Sequence, residues 1–166
     1  MISGETVETA CSQVGELTDE QMAGEFDRFF RAQPGICEFI VELTQESGQN
    51  VQELALFLSY MVFKTIETSQ PSPVRNVTHD DIETAYRETE TWMNRVGEAE
   101  GTELHDAIVQ SLQKDTEPYL LQYVISELNE PMHSGVELTD EEKGEVFFVI
   151  KTVISSLCGR RIIEVD

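Results

Sequence analysis

Apolar residues along this chain recur every three or four positions, and no stretch alternates apolar with polar, so the pattern predicts helices throughout. Met22, Phe26, Phe29 and Phe30 stand at i, i+4, i+7 and i+8, which puts them on the buried face of a first helix starting at Thr18. Thr18 and Gln21 have the spacing of a capping box. Pro34 suits the first turn of a second helix with Ile36, Phe39, Ile40 and Leu43 as its stripe. Asn50 is the expected cap of a third, whose segment from Leu54 to Phe63 is apolar nearly all round and should lie central to the fold.

Pro71-Ser72-Pro73 breaks the chain. A fourth helix is expected from Thr78, with Asp81 completing a capping box and Ile82, Ala85, Tyr86, Met93 and Val96 as its apolar side. Leu104, Ile108 and Leu112 mark a fifth over Thr102 to Lys114, and Leu120, Leu121, Val124 and Leu128 a sixth from Pro118. Thr139 and Glu142 cap a seventh that runs through Leu157 and closes at Gly159. The expected fold is all-α, with about seven helices in an orthogonal or repeat-like bundle.

An internal echo adds to this. The segment Pro34 to Leu43 resembles Pro118 to Leu128, and Tyr60 to Ile66 resembles Phe147 to Val153, at offsets of 84 residues at the prolines and 87 at Lys64 and Lys151. Shared order and shared proline position point to a three-helix unit used twice. The division that follows is a tail over 1–16 and one helical domain over 17–159. Within the domain, pseudo-repeats 17–70 and 102–159 are joined by a helix at 78–98, and a second tail covers 160–166. The tetratricopeptide and ankyrin signatures are absent.

Composition narrows the functional classes. Among 166 residues, 32 are Asp or Glu and 11 are Lys or Arg, a net charge of −21. Nucleic acid is an unfavourable partner, since phosphate binding needs clustered cations and the one adjacent basic pair is Arg160-Arg161. The same sign argues against an anionic membrane surface, and no apolar run approaches a spanning length. The N-terminal MISGETVETACSQ has neither a positive nor an apolar region of a signal peptide. Three cysteines without CxxC spacing suit reduced thiols, so a soluble, cytoplasmic protein is expected.

Candidate chemistry is sparse. His79-Asp80-Asp81 fits a helix cap better than a set of converging metal ligands, and His105 and His133 have no ligand-spaced partner. No nucleophile elbow, P-loop or dinucleotide fingerprint occurs, so no catalytic residue, cofactor or metal is assigned. Between Thr78 and Asp106 nine acids face two bases, and Glu83, Glu88, Glu90 and Glu98, with Trp92 among them, are the candidates for contact with a partner. Lys64 and Lys151 each interrupt an apolar helix at matching positions. Their stems can pack while the ammonium reaches solvent or a carboxylate, or the two can face a shared groove. The reading is a non-catalytic module that binds a basic protein or self-associates. The alternative is an enzyme or small-molecule binder with a cleft between the two helical units.

Overall fold

The computed structural model describes residues 1–97, 117–130 and 137–158, and every regular element in them is a helix. These are α1 (Gly4–Gly15), α2 (Asp19–Ala32), α3 (Pro34–Leu43), α4 (Gln49–Ser69), α5 (His79–Gly97), α6 (Pro118–Asn129) and α7 (Asp140–Cys158). The fold is therefore all-α. The helix expected over Thr102 to Lys114 and the C-cap expected at Gly159 lie outside the described residues, as does the 160–166 segment. No described helix is long and apolar enough to cross a membrane.

Local chemistry explains most boundaries. Thr18 Oγ1 accepts from the Gln21 amide at 3.2 Å while Gln21 Oε1 accepts from the Thr18 amide at 2.9 Å. Thr78 with Asp81, and Thr139 with Glu142, repeat that reciprocal pair at the starts of α5 and α7. Before α4 the cap is Gly48 rather than Asn50: its φ of 95° is open to glycine at little cost, and Asn50 falls inside the first turn. Of the aromatic stripe on α2 only Phe29 is fully buried, and Phe30 is 41% exposed because the buried arc of this helix is narrower than its apolar arc.

The largest difference concerns the first sixteen residues, expected as a tail. Ser3 caps α1 by accepting from the Thr6 amide, and Ile2, Val7 and Ala10 are buried in the core. The stripe Val7, Ala10, Cys11 and Val14 does have helical spacing. Its side chains are small and flanked by Ser, Thr and Glu, so it carries a weak apolar signal.

Helices α4 and α7 pack against each other at the centre and hold much of the core, including Ala55, Leu58, Met61, Phe63, Val149, Ile150 and Val153. Helix α1 packs on α4 and α6, and α5 makes the corresponding pair of contacts with α7 and α3. The helix at 78–98, expected as a joiner, thus stands where α1 stands in the other half. The two also carry similar tetrapeptides, Val7-Glu8-Thr9-Ala10 in α1 and Ile82-Glu83-Thr84-Ala85 in α5, with the first and last residues buried in both.

The prolines that open α3 and α6 follow buried polar residues with the same backbone geometry. Gln33 has φ −133° and ψ 60°, and Glu117 has φ −131° and ψ 63°. Gln33 Oε1 accepts from the Val77 amide at 3.0 Å, and Glu117 Oε2 accepts from the Ile2 amide at 2.8 Å. Each buried side chain ties down the residue just before the cap of the helix that crosses over from the other half. Gln33 Nε2 also donates to the Arg75 carbonyl at 2.8 Å, so both ends of its amide are used.

Candidate functional site

The described surface offers three settings in which charged and aromatic side chains gather. The first lies between α2 and α4. Glu25 and Arg28 are one turn apart on α2, and Glu67 comes from the last turns of α4. Arg28 donates from Nη2 to Glu25 at 2.8 Å, and from Nη1 and Nη2 to the two Glu67 oxygens at 2.6 and 2.8 Å. Tyr60 donates its hydroxyl to Glu25 Oε2 at 2.7 Å, and Lys64 Nζ stands 3.7 Å from the same oxygen. The Arg28 guanidinium also lies over the Phe63 ring at 5.5 Å.

The hydrogen bonds from Arg28 draw the Glu25 carboxyl down to about 2, against the opposing effect of burial. Desolvation, with the Glu25 carboxylate beside it, pushes the Tyr60 hydroxyl well above the ordinary tyrosine range. A carboxylate held that low is a feeble base near neutral pH, and a phenol held that high is a feeble acid. The open cleft beside them, about 490 Å³, is lined by Gln13, Glu25, Arg28, Lys64, Glu67 and Thr68. Its two anions and two cations neutralise one another, which is the arrangement of a structural ion-pair network.

The second setting surrounds Lys151 on α7. Its ammonium lies 4.8 Å from the centroid of the Trp92 ring, and that indole packs on Phe147 at 5.9 Å. Lys151 is only 7% exposed, and its ammonium lies against the indole face, a contact the sequence did not indicate. Lys64 meets the Glu25 carboxylate. Lys151 is not among the residues lining the cleft at Lys64, and the two lysines belong to different surroundings.

The third setting is a groove of about 380 Å³ between α3 and α5. Gly35, Phe39, Ile82 and Tyr86 form its apolar surface, and Glu38, Glu42, Glu83 and His79 its polar one. Phe39 and Tyr86 meet edge to face, 6.2 Å apart at 83°, and Tyr86 is backed by Phe148. Gly35 lets α3 lie close against the start of α5, since a Cβ there would be 3.4 Å from both Ile82 Cδ1 and the Val77 carbonyl oxygen. Glu83 pairs with Arg87 one turn along α5, and both side chains are exposed. Glu38 and Glu42 form no ion pair among the described residues.

Of the contact candidates from the sequence, Glu83, Glu88 and Glu90 are exposed on α5 and Trp92 is half-buried, while Glu98 lies outside the described residues. Only Glu83 lines the α3–α5 groove. Glu88 and Trp92 border a separate shallow cleft with Arg87, Thr91 and Arg95. Asp81 acts as a cap: Arg75 and the Thr78 amide hold its carboxyl down to about 2, and no group of three or more metal-ligating side chains occurs among the described residues. Burial pushes the Cys37 thiol up to about 12 and raises that of Cys11 too, so neither is disposed to be a thiolate.

Sequence reasoning passed over Glu38 and Glu42, whose i, i+4 spacing around Phe39 was the available signal, because the denser acidic run lies downstream in α5. It also passed over Glu25 and Arg28, an i, i+3 pair of opposite charge. No protein-family model matches this sequence, and comparison with curated proteins and with solved structures gives no significant match.

Proposed function

We propose that this protein is a non-catalytic interaction module that binds a basic protein through its acidic helical surface. The observation that carries the reading is the α3–α5 groove, where Glu38 and Glu42, which form no ion pair among the described residues, and Glu83, paired with Arg87, stand around a concave apolar surface. Most of the other carboxylates that gather with cations, at Glu25, Asp27, Glu67 and Asp81, are matched by an arginine of the same protein. A field set by a net charge of −21 steers cationic partners and repels a second copy of the same chain, so a basic partner is favoured over self-association.

The test is association kinetics with a captured partner. The chain, immobilised at low ionic strength, should retain basic proteins whose association rate falls as salt shortens the Debye length to about 8 Å and below. Replacing Glu83, Glu88 and Glu90 with Gln should slow association and leave the helical circular dichroism unchanged. Partners retained at the same rate across salt and in the triple variant would remove the basis of this reading.

A further inference from the structure

We infer that the α3–α5 groove takes a short basic amphipathic segment of the partner, seated by one apolar side chain on Phe39, Ile82 and Tyr86 with flanking cations meeting Glu38 and Glu42 on one wall and Glu83 on the other. This rests on the interaction reading above and adds to it a place and a ligand chemistry. Two helices supply the anions, so a single segment lying between them contacts both sets. The volume, about 380 Å³, suits an anchoring side chain and its neighbours rather than a whole helix. Arginine is well matched to the site, because its planar head can stack on Tyr86 or Phe39 while its donors meet carboxylates.

The corresponding helix pair in the other half is built differently. There α6 pairs with α1, and Tyr119 follows Pro118 as Gly35 follows Pro34. The Tyr119 ring lies over Gly4, whose Cβ position would be 3.5 Å from it, so an aromatic side chain stands at the position where α3 has none. In the equivalents of Phe39 and Tyr86, Tyr123 and Cys11 stand beside each other with Glu8 and Glu127 nearby, and Gln122 stands where α3 has Glu38. The same helix pairing thus forms with an aromatic side chain at that place and with Glu8 at the position of Glu83. The groove between Gly35, Phe39, Ile82 and Tyr86, with Glu38 and Glu42 forming no ion pair among the described residues, is thus not a requirement of this helix pairing, and it has the shape and charge to seat a ligand.

The probe is a fluorescein-labelled peptide with Leu-Trp at its centre and two arginines on each side, with a control in which citrulline replaces every arginine. Fluorescence anisotropy at low salt should show binding of the arginine peptide and roughly tenfold or greater weakening with citrulline, with the double substitution Glu38→Gln and Glu42→Gln, and with Gly35→Tyr. Gly35→Tyr reproduces the filled state of the α1–α6 pair, and the Glu-to-Gln pair, being at exposed positions, tests the same groove if the tyrosine disturbs the fold. Replacing Glu16 and Glu20 with Gln, at exposed positions on neither groove helix, should change affinity by no more than about twofold, and replacing Glu88 and Glu90, on the acidic surface outside the groove, should weaken binding less than the groove variants do.

Undiminished binding in both groove variants would overturn the assignment. If that came with loss of salt-sensitive binding in the Glu88/Glu90 variant, the groove would be wrong and the acidic-surface reading would stand. If the arginine peptide bound no better than the citrulline one at any salt concentration, both would fall.

Discussion

Replacing Arg28 with Met tests how the first half of the molecule is tied together. The substitution keeps a stem of similar length over Phe63 and removes the charge that joins Glu25 on α2 to Glu67 on α4. Lowering Glu25 from its ordinary 4.5 to about 2 corresponds by linkage to roughly 3 kcal/mol. Arg28 is 41% exposed, so solvent screening reduces what the link contributes to about 1–2 kcal/mol. Because the folded state depresses this carboxyl, the contribution is present above about pH 4.5 and is lost as pH falls towards 2. Urea unfolding of wild type and variant at pH 7, 5, 4 and 3 should show a stability gap that narrows across that window. A gap that stays constant with pH would mean that Arg28 acts by packing alone, and the ion-pair account would be wrong.

Gln33→Met should destabilise the fold by about 1–3 kcal/mol in thermal melts, because the buried Val77 amide loses its acceptor while the Arg75 carbonyl can turn to water. Ser59→Ala should raise stability by up to about 1 kcal/mol, since the Ser59 hydroxyl is buried in α4 without a hydrogen-bond partner among the described residues; a clear loss would show that it has one. Raising salt from about 0.05 M to about 1 M should increase the melting temperature by several degrees, as screening relieves the self-repulsion of a −21 chain. A melting temperature that fell over that range would show specific ion pairs outweighing net repulsion.

Helix periodicity and capping chemistry made most of the fold legible. The boxes at Thr18, Thr78 and Thr139 and the prolines at 34 and 118 each mark a real helix start, since these signals act within one turn. What escaped depends on contacts distant in sequence. Nothing near Ile2 announces that its amide will meet Glu117, and that contact helps keep α1 from being a tail. The likeness of α1 and α5 in packing is echoed in two similar tetrapeptides, but four residues are too few to stand out until both helices are seen to pack in the same way. Lys64 and Lys151 hold matching places in sequence and meet different partners, because the aromatic beside Lys151 comes from α5 and the carboxylate beside Lys64 from α2. The acidic groove was legible on one wall alone, as Glu83. Its other wall needed the α3–α5 pairing to bring Glu38 and Glu42 into view.

Amide chemical-shift mapping reads the place of binding most directly. With the nitrogen-15-labelled protein titrated by the arginine peptide, the largest shifts should fall on residues 35–42 of α3 and 79–86 of α5, and should diminish together as salt is raised. Shifts spread evenly over the acidic faces of all the helices, or centred on the Arg28 cleft or the α1–α6 pair, would contradict the account.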